Sequence, residues 1–240
     1  MKSKIFLFIF CATGPLFLYA QNGTHLGLKG LAGVTYLYNE NTFNGKTVRS
    51  DVTLGNFMGI TVGQQYRERT GIMADVMYTS HNQNYANNKP GINENWSKKI
   101  KYVESGIYIR KSSSEKRNFA SIFFIDLGPK FSYLVHATDT WTDTNSVSTS
   151  SISTNSYNKF NISFTTYVGS NWYLSDKLRL TSGVNVSYGF LDITKEGSSN
   201  NLDRFNNPYK PTNSFSMGIS LGLIYVIETK RVYYSYTDNH

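Results

Sequence analysis

Polar and apolar residues alternate one-on, one-off along most of this chain, a period-two signal far clearer than any helical one. The alternation predicts eight β-strands: His25–Tyr38, Val52–Tyr66, Gly71–Thr79, Lys99–Arg110, Phe119–Val135, Lys159–Tyr173, Lys177–Ile193 and Asn213–Ile227. Side chains two apart share a face. In the fifth segment Ile125, Leu127, Phe131 and Tyr133 oppose Phe124, Asp126, Gly128, Lys130 and Ser132. In the seventh Leu178, Leu180, Val184, Val186 and Tyr188 oppose Lys177, Arg179, Thr181, Gly183, Asn185 and Ser187. The third and fourth sort the same way: Ile72, Ala74, Val76 and Tyr78 against Met73, Asp75, Met77 and Thr79, then Val103, Ile107 and Ile109 against Tyr102, Glu104, Tyr108 and Arg110. Each segment therefore has one apolar face and one face of small polar residues. The polar face carries few charges, and their signs are mixed: Asp75, Glu104 and Asp126 with Lys29, Arg110, Lys130 and Arg179.

The connections alternate too. Those around Asn39–Asp51, Ser80–Lys98, His136–Asn158 and Thr194–Thr212 are long and polar, while RERT, KSSSEKRN and LSD are short. In a meander the two sets fall at opposite ends, the asymmetry of outer-membrane barrels, which have long loops outside and short turns in the periplasm. A soluble β-sandwich has no reason to sort its connections so. The expected fold is all-β: an eight-stranded antiparallel up-and-down transmembrane β-barrel. Its apolar face meets lipid. Its charges, Asp126 and Lys130 among them, face a narrow interior where they pair, because an unpaired buried charge costs several kcal/mol. Pro129 has no N–H for the ladder, so a bulge or an interface position is expected there. Tyr38, Tyr78, Tyr133, Tyr173 and Tyr188 are candidates for interfacial girdles. The serine-rich stretch Ser148–Ser156 is expected to be mobile and solvated.

Composition adds the compartment. Only 17% of the 240 residues are charged while 15% are aromatic, which opposes disorder. Residues 1–20, MKSKIFLFIFCATGPLFLYA, have Lys2 and Lys4, an apolar centre and a small Ala20, the pattern of a cleaved signal peptide. Cys11 follows bulky Phe8-Ile9-Phe10 rather than the small residues of a lipid-anchor signal. It is the chain's sole cysteine, so nothing after Ala20 is stapled by disulfides. Removing Lys2 and Lys4 takes the formal charge from +8 to +6, and the remaining bases are scattered, so nucleic acid is not an expected partner. Residues 21–227 form the barrel domain. Residues 228–240 are a tail that is periplasmic or part of the last strand, with Val232–Tyr236, VYYSY, as a rival final strand.

With the strands in place, four short motifs resemble the PorT-like outer-membrane β-barrel family of Bacteroidota. GLKGLAG (Gly27–Gly33) resembles its opening strand. ADVMYTS, with Asp75 three before Tyr78, resembles its third. IDLGPKFSYLV, with Gly128 and Pro129, resembles its Gly-Pro strand, and SYGFLDI (Ser187–Ile193) resembles a later strand end. The chain departs from the family at Glu104-Ser105-Gly106, where a proline is common, and in its tail after Ile227. The resemblance covers most of Gln21–Ile227 and implies an outer-membrane location without a defined activity.

Recognised chemistry is sparse. His25, His81 and His136 have no zinc-ligand spacing, and the chain has no phosphate loop and no Gly-x-Ser-x-Gly elbow. No catalytic, cofactor-binding or metal residues are assigned, and no cofactor is expected. A lipid hydrolase or acyltransferase would need a serine, a base and a carboxylate, for which His136 with Asp139 or Asp143 is the nearest arrangement. The expected role is a non-enzymatic scaffold, surface binding module or subunit of an envelope or secretion complex, with a small channel as the alternative. The expected partners are membrane lipids and lipopolysaccharide, and an envelope or extracellular partner held by the long loops.

Overall fold

A computed structural model describes residues 23–40, 48–67, 69–87, 94–113, 121–142, 147–195 and 210–227. The expected signal peptide at 1–20 and the expected tail at 228–240 lie outside the described residues. Ten strands form one antiparallel sheet: β1 (Thr24–Asn39), β2 (Val48–Asp51), β3 (Thr53–Arg67), β4 (Thr70–Asn87), β5 (Asn95–Ser112), β6 (Ser121–Thr142), β7 (Ser148–Ile152), β8 (Phe160–Tyr173), β9 (Leu178–Gly189) and β10 (Thr212–Ile227).

The expectation of an eight-stranded up-and-down barrel is thereby corrected. The sheet has ten strands, and its order is not a plain meander, since β2 pairs with β4 rather than with β3, and β7 branches from β6. The two additional strands fall in segments expected to be loops. The reason is physical: β7, STSSI, exposes all five of its side chains, so it has no apolar face and no period-two signal. Its stability comes from backbone pairing with Thr138–Thr142 and from hydroxyl pairs, Thr140 with Ser150 and Thr142 with Ser148, each 2.9 Å. The stretch expected to be mobile is solvated, as expected, but it is paired. Strands β4, β5 and β6 likewise run past the expected ends, to Asn87, from Asn95 and to Thr142, because their extensions are polar. β9 ends sooner, at Gly189 rather than Ile193.

The sheet rolls up. Its path runs β2-β4-β3-β1-β10-β9-β8-β6-β5, and β4 also pairs with β5 along Thr70–Ala86, which joins the two flanks. Contacts between strands that are not neighbours cross the space inside. Lys29 on β1 lies 3.7 Å from Asp75 on β4 and 4.1 Å from the ring centre of Tyr167 on β8. Asn161 on β8 donates to Ser214 on β10 at 3.0 Å.

The faces sort as the alternation predicts. Leu127 is 40% exposed and Val184 41%, whereas Asp126 is 3% exposed and Asn185 8%. The interior face is also where most strand glycines lie. At Gly106 a β-carbon would collide with the Tyr108 phenol and meet Asp75, so the missing side chain makes room for the Tyr108–Asp75 hydrogen bond. Pro129 is not at a bulge. It pairs normally with Phe164 on β8, and on the β5 side the ladder skips Gly128 and Pro129 while the register continues unshifted from Gly106–Lys130 to Ile109–Leu127. The bulge is higher, where Lys101 pairs with His136 and Tyr102 with Leu134, which leaves Val135 as the extra residue.

Candidate functional site

Three interior layers define what the molecule can do. In the middle lies an ionic layer. Arg110 grips Asp126 through two 2.7 Å bonds, from Nε and Nη2, and its guanidinium lies 3.8 Å from the ring centre of Phe124. Glu104 takes Lys130 at 2.9 Å, the Ser132 hydroxyl at 2.9 Å and His81 Nε2 at 3.3 Å. Asp75 takes the Tyr108 hydroxyl at 2.9 Å, with Lys29 beside it. Asp126 and Lys130 thus do share the interior face but do not pair with each other; each is matched on β5. Arg179 stacks over Tyr173 at 4.8 Å. Such pairing is what buried charges require.

Toward the end bearing the long connections, Leu37, Ile100, Tyr102, Leu134, Ala137, Tyr157 and Ile193 form an apolar cluster inside the roll. At the opposite end His25, Gln64, Met73 and Arg110 surround a cavity of only about 10 Å³.

The outer layer is an extension of five strands, β2, β4, β5, β6 and β7, beyond the apolar cluster. On it Tyr85, Trp96 and Trp141 are cross-strand neighbours in one row, and their rings stack. Tyr85 and Trp96 centres are 5.4 Å apart at 17°, and Trp96 and Trp141 centres are 5.2 Å apart at 20°. Val48 packs against them. Burial pushes the Tyr85 phenol well above its ordinary range, so it stays protonated. One row below, Tyr157 donates to Asp139 at 2.8 Å, and burial together with that carboxylate raises the Tyr157 phenol likewise. A groove of about 280 Å³ opens on this extension, lined by Asp51, Asn84, Asn95, Ser97, Thr140 and Thr142, with Tyr85 and Trp96 between them.

The arrangement considered for lipid hydrolysis is not assembled. Past the bulge at Val135, Ala137, Asp139 and Trp141 share the inner face of β6, so His136 stands on the other face from Asp139. His136 Nε2 is 3.0 Å from the Thr138 hydroxyl, and Asp139 is engaged by Tyr157. Asp143 lies outside the described residues. Among the described residues no three His, Cys, Asp or Glu side chains form a group able to hold a metal ion. Sequence reasoning missed the aromatic row because it treated Ser80–Lys98 and His136–Asn158 as loops. The available signal was that Tyr85, Trp96 and Trp141 are large aromatics inside polar stretches.

No protein-family model matches the sequence, and no curated protein matches it. Solved structures do match the fold. Outer membrane protein OprG from Pseudomonas aeruginosa superposes with a TM-score of 0.50 at 11% identity, covering 88% of this chain and 98% of that one. A major outer membrane protein from Thermus thermophilus gives 0.45 at 10% identity, covering 85% and 99%. Neisserial surface protein A gives 0.39 at 13%, covering 83% and 96%. The fold is that of outer-membrane β-barrels. No helix among the described residues is long and apolar enough to cross a membrane, which says nothing of β-barrels, since those cross with strands.

Proposed function

We propose that this chain is an integral outer-membrane protein without catalytic activity, whose rolled sheet anchors an extracellular binding surface built on the strand extension. The observation that carries the reading is the place where the outer face changes character. On β4 the outward residues Ile72, Ala74, Val76 and Tyr78 give way to Ser80, Asn82 and Asn84. On β5 Ile109, Ile107 and Val103 give way to Lys101, Lys99 and Ser97. On β6 Leu127, Phe131, Tyr133 and Val135 give way to His136, Thr138 and Thr140. Three neighbouring strands thus carry an apolar belt that stops at a common boundary, with Tyr78 and Tyr133 beside it. That is the profile of a hydrocarbon layer edged by aromatic side chains. In water the same belt would leave Ile109 66% exposed and Ile219 66% exposed with nothing to cover them.

The motifs Gly27–Gly33, Asp75 with Tyr78, Gly128-Pro129 and Ser187–Ile193 support placing the chain among PorT-like proteins. On this reading residues 1–20 are removed on export, and the extension meets lipopolysaccharide or an envelope partner. A conducting role is opposed by the ionic layer and the apolar cluster that lie across the interior.

The test is labelling by a photoreactive probe confined to lipid, applied to the membrane fraction. Leu127 and Val184 should react, and Asp126 and Asn185 should not. Recovery of the protein in the carbonate wash, or the reverse labelling pattern, would remove the proposal.

A further inference from the structure

The groove on the strand extension has the size and chemistry of a site for one small ligand. Asp51, Asn84, Ser97 and Thr140 are consecutive partners in a single cross-strand row, and Asn95 and Thr142 pair two residues farther out along β5 and β6. The volume of about 280 Å³ is close to the lower bound for small-molecule sites, about 300 Å³. It suits one six-membered ring rather than an extended chain. Six of the eight lining residues offer one carboxylate, two carboxamides and three hydroxyls, the other two are Tyr85 and Trp96, and there is no aliphatic wall. Lipid tails and other hydrocarbons find nothing to pack on there.

Charge narrows the class further. The carboxylate of Asp51 is met by Arg49 at 2.9 Å, so the groove presents no excess cation for a phosphate or sulfate and no acidic cluster for a metal. Among the described residues no hydrogen bond engages the side chains of Asn84, Asn95 or Ser97. Asn84 and Asn95 are exposed and Ser97 is half-buried, so water occupies these groups until a ligand displaces it. The hydroxyls of Thr140 and Thr142 are held in place by Ser150 and Ser148, and the stacked Tyr85–Trp96–Trp141 row stiffens the strands between them. Groups fixed before the ligand arrives lose little freedom on binding.

We propose that this groove binds the terminal neutral pyranose of an extracellular glycan. The proposal rests on the outward orientation argued above. A neutral polyhydroxylated ring matches the lining: its hydroxyls both give and accept hydrogen bonds, it carries no charge, and its size allows one residue to enter. The open side of the groove leaves the remainder of a glycan in solvent.

The experiment uses full-length protein folded in detergent micelles, with the Trp172→Phe substitution so that Trp96 and Trp141 report. It is titrated with methyl glycosides of glucose, galactose, mannose and N-acetylglucosamine, and with oligosaccharides ending in the same sugars. Inorganic phosphate and glucuronate serve as anionic controls. At least one neutral glycoside should give a saturable change in emission with a Kd of about millimolar order. The oligosaccharide ending in that sugar should bind as well or better, and the anions should not bind. The Asn84→Ala/Asn95→Ala double variant should weaken binding at least about tenfold while its heat-modifiable gel migration is unchanged. Heat-modifiable protein with no saturable response to any neutral sugar overturns the proposal, as does undiminished binding by the double variant or a preference for phosphate. Orientation is read separately: Asn95→Cys on intact cells should react with a membrane-impermeant thiol reagent. Failure there removes the outward reading, and with it the extracellular source of the glycan, while the titration alone decides whether the groove takes a sugar.

Discussion

At the scale of single residues, the ionic layer is held by matched partners rather than by any one strong bond. Asp126 is enclosed, and both its oxygens are taken by Arg110. Removing one partner leaves the other as an uncompensated buried charge, at a cost of about 3–5 kcal/mol, while replacing both by apolar side chains of like volume is often neutral. Asp126→Ala should therefore lower the urea unfolding midpoint of the micelle-folded protein markedly. Asp126→Leu combined with Arg110→Met should recover most of the loss. A double variant whose loss equals the sum of the losses of the two single variants would show that the pair is not coupled. Glu104 stands in the same position with three partners, one of which, His81, is itself wedged edge-on between Phe57 and Tyr102 at 5.4 and 5.5 Å. The sequence shows that these charges share a face; which carboxylate meets which base depends on strand register, and alternation does not encode it.

At the scale of elements, the eight longer strands were legible because each has one apolar and one polar face, so their period-two pattern is strong. The same logic explains what was not legible. β2 and β7, and the outer parts of β4, β5 and β6, are polar on their exposed side, and in β7 on both sides, so no pattern separates them from loop. Their conformation is set by backbone hydrogen bonding to a neighbour already in place. β7 is consequently the most dispensable strand, since it pairs on one side only and buries no side chain. Replacing Ser148–Ile152 by a glycine-serine linker should leave the heat-modifiable migration of the protein intact. Loss of that migration would mean that β7 supports the rolled sheet as a whole. The bulge at Val135 is a second feature of this scale. It shifts the register by one residue, and so turns Asp139 and Trp141 inward and His136 outward; His136 and Asp139, three apart on one strand, face opposite sides in either register.

At the scale of the whole molecule, an inside-out distribution of polarity is combined with a charged and an apolar layer across the interior. Apolar residues such as Ile109, Ile219 and Leu28 face outward, while Glu104, Arg110, Asp126 and Lys130 are inside. The salt-bridge layer and the cluster of Leu37, Ile100, Leu134, Tyr157 and Ile193 stand in series along the axis. Ions crossing this interior would have to separate paired charges and then enter an apolar plug. Planar-bilayer recording of the purified protein should accordingly show no unitary conductance steps. Discrete openings would instead place a water path along the axis and favour the channel reading.

The one-dimensional pattern alone determined that strands dominate the chain, where the central parts of its eight longer strands lie, and which face of each is apolar. These are consequences of local chemistry, because alternation is a property of neighbours in sequence. Tertiary structure decided the ten-strand count and order, the pairing of Arg110 with Asp126 and of Lys130 with Glu104, the inward turn past Val135, and the joining of Asp51, Asn84, Asn95, Ser97, Thr140 and Thr142 around one groove. Each of those depends on which backbone lies beside which. Pairing across strands is set by hydrogen-bond register and by the closure of β4 onto β5, and residues up to some ninety positions apart, such as Asp51 and Thr142, come to line one groove only once the sheet has rolled.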